Sequence, residues 1–278
     1  MNPIRETATI DVMDPYNDPD SQAEGTLEAM MTRLEERGAH PVFARMIGDY
    51  LAAVTRDKPV CLLDLGCGTG VVTRRAAEML HPGCELHGAD VSKRLLERAG
   101  QLEGGGRVQW DHLSGGDLPY ADGAFDVVVL HTVLSHVEQP VSLLREVARV
   151  LRREGQLIVF DADHASTTYG QPDYRVMKRV DHLLTSAIAT HPDICRQLPR
   201  YLKEAGFILE RHCAEVLSEC GQGDFWLSSV RGFARMIPAL GILSSEEAES
   251  WVGHMLRSHE EGTFFAAGVF YTFHARLF

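Results

Sequence analysis

The chain begins with two stretches in which apolar side chains repeat at helical spacing. Those of the first stretch are three, one and three positions apart, so they fall on one helix face: Leu27, Met30, Met31 and Leu34. The second stretch begins at Pro41 and keeps the same period to Val54. Because an apolar helix face has to be covered, we predict that residues 1–55 form a helical lid segment over the rest of the molecule.

From Val60 the pattern changes to short apolar runs that alternate with helical stretches. Continuous runs such as DVVVL at 126–130 and QLIVF at 156–160 are typical of parallel strands buried on both faces. This alternation predicts a doubly wound, Rossmann-like α/β domain. We expect strands at 60–65, 84–89, 107–110, 126–131 and 156–161, and helices near 70–81, 92–102 and 140–152.

Beyond Phe160 the alternation becomes less regular. The patterns predict helices at about 173–189 and 196–205, a strand at 207–217, helices at 224–236 and 244–258, and a last strand at 263–277. We therefore predict one α/β domain over residues 56–278, with a helical cap inserted at about 218–260. The N-terminal helices and this cap are expected to enclose a small, partly apolar ligand.

Composition and charge exclude several kinds of partner. The 27 basic and 39 acidic residues give a net charge of -12, which would repel a nucleic-acid backbone. No apolar run approaches the roughly 18 residues of a membrane span, and the start of the chain lacks the pattern of a signal peptide. We expect a soluble, cytoplasmic protein that binds neither membranes nor nucleic acid. The six cysteines form no CxxC pair, so a zinc cluster is not expected.

Three glycines follow the first strand at every second position, in VCLLDLGCGTG. Gly66, Gly68 and Gly70 leave the main chain bare where a helix begins, so a ligand can contact backbone N–H groups. A dinucleotide fingerprint needs glycine or alanine where Val71 stands, and no Gly-Lys of a phosphate loop follows. Asp90 ends the second strand 24 residues beyond Gly66, where an acid can accept hydrogen bonds from both ribose hydroxyls. An adenosine without a pyrophosphate fits best, and a tight turn without a ligand is the alternative.

These motifs resemble the class I S-adenosylmethionine-dependent methyltransferases. They are most similar to the branch with ubiquinone and menaquinone C-methyltransferases and many natural-product methyltransferases. The resemblance is strong over residues 60–161, where it rests on VCLLDLGCGTG, GADVS, LPYADGAFDVVVLHTVLSHVEQP and LLREVARVLRREGQLIVFDAD. It implies a seven-stranded sheet whose last strand is antiparallel, and S-adenosyl-L-methionine as the cofactor.

The resemblance also implies roles for the matching residues around the cofactor. The three glycines would line its methionine part, and Asp64 would orient that loop or the amino group. Asp90 would hold the ribose, and Val91 would pack beside the adenine. The residue expected to receive the adenine amino group is usually an aspartate, but this chain has Ser114 there. Ser114 can accept one hydrogen bond, and Asp111 or Asp117 could take its place through a different loop path.

Candidate catalytic residues follow the fourth and fifth strands. Methyl transfer is an in-line displacement that needs a base only when the accepting atom must lose a proton. His131 ends the fourth strand, and the resemblance places it near the reactive methyl; Asp163 and His164 follow the fifth strand. The alternative for His131 is a histidine that only hydrogen-bonds a loop carbonyl. The alternative for Asp163 and His164 is a solvated turn. A metal site at Asp161, Asp163 and His164 lacks a third distant ligand, so we expect no metal.

The sequence therefore predicts a methyltransferase that acts on a small molecule, such as a metabolite or natural product, at O, N, S or C. The alternatives are a Rossmann-type NAD(P)-dependent oxidoreductase and a protein that binds S-adenosylmethionine without catalysis. We expect a monomer or a homodimer.

Overall fold

The computed structural model describes residues 14–54, 57–239 and 243–278. Its strands are Cys61–Leu65 (β1), Glu85–Asp90 (β2), Gln109–His112 (β3), Phe125–His131 (β4), Leu151–Tyr169 (β5), Phe207–Gly221 (β6) and Phe264–Leu277 (β7). They form one seven-stranded sheet in the order β3-β2-β1-β4-β5-β7-β6. The strands β1 to β5 are parallel, and β7 pairs antiparallel with β5 and β6. The predicted seven-stranded sheet with an antiparallel last strand is confirmed.

Helices connect most of these strands. They are Glu24–Ala39 (α1), Pro41–Leu51 (α2), Val71–Met79 (α3), Lys93–Gln101 (α4), Pro140–Val150 (α5), Tyr174–Ile188 (α6), Ile194–Glu204 (α7), Phe225–Ala239 (α8) and Ser245–Glu260 (α9). Among the described residues, no helix combines the length and the apolar character that crossing a bilayer would require.

The apolar core lies on both faces of the sheet. On one face, α2, α3, α6, α8 and α9 cover side chains that include Leu62, Val129 and Ile158. On the other face, α5 and α7 cover neighbours such as Leu63 and Val128. Successive strand residues point to opposite faces, so burial of both faces explains why the central strands are continuously apolar.

The last three strands extend beyond the parallel part of the sheet. β5 continues to Tyr169, paired with Ala266 of β7, and β6 continues to Gly221, paired with Phe264. Both strands are longer than predicted because the antiparallel β7 supplies hydrogen bonds along them; in β5 the pairing resumes after a register shift between Asp163 and Thr168. The helices α8 and α9 occur between β6 and β7, in the region where a cap was predicted.

The division into a lid segment and a main domain stays a prediction. Residues 1–13 and 55 of the predicted lid lie outside the described residues. The described part of that segment consists mainly of α1 and α2, and the buried residues of α2 join the core on the α3 face of the sheet.

Candidate functional site

A cavity of about 1210 Å³ opens where the carboxyl ends of β1, β2 and β4 meet. Residues at the ends of these strands form its floor, α1 forms one wall, and residues 228, 229 and 231–233 of α8 contribute to another. Ligand pockets usually measure about 300–1,000 Å³, so this cavity has room for a cofactor beside a second small molecule. The predicted site residues that border it are Asp64, Gly66, Gly68, Asp90, Val91, His131 and His164.

The glycine loop after β1 is held in left-handed conformations. Gly66, Gly68 and Gly70 have φ values of +75°, +55° and +78°, a region that side chains disfavour. Gly66 and Gly68 border the cavity, but Gly70 does not. A Cβ atom on Gly70 would lie 2.3 Å from Cη2 of Trp110. The structure therefore gives Gly70 a packing role against an indole ring, and its contact with a ligand stays a prediction.

Asp64, near the end of β1, is a buried carboxylate with one oxygen unsatisfied. Its Oδ2 accepts a hydrogen bond from Oγ1 of Thr73 at 2.5 Å, whereas its buried Oδ1 has no partner. Burial raises the pKa of Asp64 to about 7. The hydrogen bond from Thr73 opposes this shift, and the charge of Asp90 adds a smaller upward contribution. A buried acceptor without a partner is costly, so Oδ1 is available to a donor that enters the cavity.

Asp90, at the end of β2, organises the neighbouring wall. Its Oδ2 accepts from the N–H of Gly68 at 2.8 Å, and its Oδ1 accepts from the N–H of Ser92 at 2.9 Å. Each oxygen keeps a second lone pair, so the carboxylate can also accept hydrogen bonds from a ligand. Burial raises the pKa of Asp90, against these backbone hydrogen bonds. Val91 beside it is 44% exposed although it is apolar, and it borders the cavity.

Ser114 does not reach the cavity. It is exposed, and the preceding Leu113 is the residue that borders the cavity. The two alternatives considered for the same role, Asp111 and Asp117, do not border it either. The structure thus does not bring together Ser114 and the other predicted cofactor ligands.

His131, at the end of β4, lies in an aromatic environment. Its Nδ1 shares a 2.9 Å hydrogen bond with the hydroxyl of Tyr50 from α2. Its ring stacks on Phe160 with a centroid distance of 4.5 Å. Burial, aided by the charge of Arg37, holds the pKa of His131 well below 6.5. Burial likewise raises the pKa of Tyr50 well above 10, so both groups are neutral at pH 7.

His164 and Asp163 are neighbours on β5 that point to different places. His164 borders the cavity, its Nε2 is buried without a partner, and burial lowers its pKa to about 3. Asp163 does not border the cavity. Its Oδ2 instead forms a 2.9 Å ion pair with Nη2 of Arg196 from α7. The structure therefore separates Asp163 from the two histidines with which it was grouped.

Tyr16 and Arg37 are cavity residues that were not among the predicted site residues. Tyr16 lies in the irregular N-terminal lead, and its ring is 4.9 Å from that of His136. Arg37 lies on α1, three residues after Leu34 of the predicted apolar stripe. A charged residue in line with an apolar stripe is a signal that could have indicated it.

One group of possible metal ligands occurs among the described residues, away from the cavity. Side-chain atoms of Cys61, Glu85 and His87 lie within 4.8 Å of one another. None of the three borders the cavity, and Nδ1 of His87 already shares a hydrogen bond with Asp111. The expectation of no metal stays a prediction.

Comparison with known proteins gives an independent result. Residues 63–159 match a family model described as a methyltransferase domain. A 37.1 kDa protein of transposon TN4556 from Streptomyces fradiae is 31% identical over 212 residues, which cover 75% of this chain and 60% of that protein. A demethylmenaquinone methyltransferase from Tropheryma whipplei is 30% identical over 158 residues, which cover 54% of this chain and 64% of that enzyme. The matches thus span less than two thirds of either relative.

Among solved structures, a Bacillus halodurans protein (BH2331) superposes with a TM-score of 0.57 at 18% identity. The superposition covers 83% of this chain and 97% of that one. At this level of identity the similarity concerns the fold.

Proposed function

The chain carries a methyltransferase domain of the class I, S-adenosylmethionine-dependent family, and on this premise we propose that it transfers a methyl group from S-adenosyl-L-methionine to a small-molecule acceptor at O, N, S or C. One observation carries the proposal. Gly66 and Gly68 of the bare loop, Asp64 with its unsatisfied Oδ1, and Asp90 all border one large cavity.

The residues present suit the cofactor. Asp64 Oδ1 lacks a donor, and the ammonium group of the methionine part would supply one. Asp90 has free lone pairs for the ribose hydroxyls, and Val91 offers an apolar surface for the adenine. When bound, the cofactor supplies a methyl group activated by a sulfonium. The protein contributes the alignment of the two reactants and the exclusion of water.

The acceptor would occupy the part of the cavity bordered by α1, His131 and His164. The volume supports a small acceptor, because about 1210 Å³ has to hold the cofactor as well. The relative from Tropheryma whipplei methylates demethylmenaquinone according to its name, which is consistent with a small acceptor here.

We propose that His131 and His164 act on the acceptor as neutral groups. Their pKa values, well below 6.5 and about 3, leave both unprotonated at pH 7. A base with so low a pKa removes a proton weakly. The site therefore favours an accepting atom that is already acidic, such as a phenol oxygen, or one that needs no deprotonation. Asp163 is not part of this proposal, because it is paired with Arg196 outside the cavity.

Calorimetric titration tests the cofactor assignment. We expect the protein to bind S-adenosylhomocysteine and not NADH, and we expect Asp90→Ala to weaken S-adenosylhomocysteine binding about tenfold to hundredfold, as for lost hydrogen bonds to a charged group. Asp117→Ala is the matched control, because Asp117 is exposed and does not border the cavity. Binding of NADH alone, or equal affinity in both variants, would contradict the proposal.

Turnover distinguishes an enzyme from a protein that only binds the cofactor. The measurement is formation of S-adenosylhomocysteine with a panel of phenols, amines and thiols. Tight cofactor binding without product from any acceptor would favour the non-catalytic alternative. Cytoplasmic location and the monomeric or homodimeric state stay predictions.

A further inference from the structure

Two arginines one helical turn apart on α1 border the cavity, and they differ in their hydrogen bonds. Arg33 donates to the hydroxyls of Ser228 and Ser229 of α8, at 2.9 and 2.6 Å. Its guanidinium also lies 4.7 Å from the ring centre of Phe225. Arg37 lies 4.8 Å over the ring of Phe43, but its Nε and Nη2 are buried and have no hydrogen-bond partner.

The unsatisfied donors of Arg37 require an explanation. Almost all buried polar groups in folded proteins are hydrogen-bonded, and leaving a charged donor unpaired is costly. Burial lowers the pKa of Arg37 to about 10, so the group remains a cation at pH 7. Asp161 is the buried carboxylate whose charge influences Arg37, but it does not pair with the unsatisfied Nε and Nη2: its oxygens accept from the N–H groups of Ser135 and Ala162. The forked guanidinium is therefore available to an anion that enters the cavity.

A second, smaller chamber of about 120 Å³ borders the same arginine. The residues that it shares with the large cavity include Tyr16, Arg33, Arg37 and His164, but neither the glycine loop nor Asp90 reaches it. Its walls are largely apolar and include the rings of Tyr169, Phe225, Trp226, Phe233 and Phe270. An apolar cavity of about 150 Å³ can hold benzene, so this chamber suits one ring or a short apolar chain.

We propose that the methyl acceptor is a compact aromatic or apolar carboxylic acid whose carboxylate binds Arg37 and whose apolar body enters the chamber. This proposal rests on the proposed function and specifies its substrate class. Guanidinium groups bind carboxylates through two parallel hydrogen bonds. The cofactor also has a carboxylate, on its methionine part. We assign Arg37 to the carboxylate of the acceptor, because Arg37 borders the chamber and the residues predicted to hold the cofactor do not.

The test compares an acid with its uncharged analogue of equal size. 3-Phenylpropanoate and 3-phenylpropanamide are titrated calorimetrically into the full chain, with and without saturating S-adenosylhomocysteine. We expect the wild type to bind the acid about tenfold to hundredfold more tightly than the amide, as for a charge-assisted hydrogen-bonded pair. In Arg37→Gln this preference should disappear, and in Arg37→Lys part of it should remain.

Arg231→Gln is the matched control. Arg231 also borders the large cavity, but it is exposed, so its replacement removes the same charge without removing a buried donor. The acid preference should survive in this variant. If Arg231→Gln lowers the preference as much as Arg37→Gln, the effect is general attraction of anions, and the proposal is wrong.

Two further results would overturn the proposal. One is equal affinity of the wild type for acid and amide. The other is an Arg37→Gln variant that keeps the acid preference but loses affinity for S-adenosylhomocysteine, which would assign Arg37 to the carboxylate of the cofactor. Failure of the proposed function gives a different result. In that case the wild type does not bind S-adenosylhomocysteine, although it still binds the acid more tightly than the amide.

Discussion

At the scale of single residues, Asp64 is a predicted binding-site residue whose buried carboxylate destabilises the folded state. The carboxylate is buried, only one oxygen is hydrogen-bonded, and burial raises its pKa to about 7. The unfolded chain holds this group at its ordinary pKa of 3.8. Between these two values the folded state binds more protons than the unfolded state, so folding stability falls as pH rises from about 4 to about 7.

Asp64→Asn should separate stability from binding. The amide has no charge to bury, so the ligand-free variant should have a higher melting temperature than the wild type at pH 8 and a much smaller advantage at pH 5. Each kcal/mol of difference should shift the melting temperature by about 2–4 °C. Thermal unfolding at both pH values checks this. A variant less stable than the wild type at pH 8 would contradict the assigned cause of the raised pKa.

The same residue predicts how cofactor affinity depends on pH. Only the ionised carboxylate attracts an ammonium group, so the affinity of the wild type for S-adenosylhomocysteine should fall up to about tenfold per pH unit below pH 7. Asp64→Asn should bind more weakly at pH 8 and lose this dependence. Titration at several pH values between 5.5 and 8 measures both effects.

At the scale of secondary structure elements, the turn from β1 to α3 depends on a distant ring. Gly70 and Gly88 both face Trp110 of β3, where a Cβ atom on either glycine would lie 2.3 Å from the indole. The sequence pattern indicated the turn correctly, because glycine in a left-handed turn is a local requirement. The contact with Trp110 was not predictable, because it joins the start of α3 to β2 and β3, which are separate in the sequence.

Gly70→Ala should therefore destabilise the protein more than a matched substitution at Gly115. Both glycines have positive φ, +78° and +82°, but no atom lies within 4 Å of a Cβ built on Gly115. Gly115→Ala should cost only the left-handed backbone penalty of about 1–2 kcal/mol, whereas Gly70→Ala should add about 1–3 kcal/mol for overpacking. Urea unfolding of the two variants measures the difference, and equal losses would show that Trp110 moves aside freely.

At the scale of the whole molecule, the cavity is closed by elements that are far apart in the chain. Arg33 of α1 is joined to Ser228 and Ser229 of α8 by hydrogen bonds across almost 200 residues. We therefore expect α1 and α8 to open together when a ligand enters or leaves, as lids of enclosed sites do.

The double variant Ser228→Ala/Ser229→Ala removes both hydroxyls. It should loosen the contact between α1 and α8 without unfolding the domain. Amide exchange should become about tenfold faster in residues 24–39 and 225–239, as for the loss of hydrogen bonds to a charged group. Arg45→Ala is the control, because its ion pair with Glu215 is exposed and should contribute little. Faster exchange over the whole chain would instead indicate global destabilisation.

By itself, the sequence determined the order of strands and helices, the antiparallel last strand and the glycine turn with acids at two strand ends. These features follow from local periodicity, from the conformational freedom of glycine and from a family resemblance that spans the first five strands. The tertiary structure alone decided the pairing of Asp163 with Arg196, the exposure of Ser114 and the unpaired donors of Arg37. Each of these depends on which residues from remote elements surround a side chain, and the pattern along the chain does not record that arrangement.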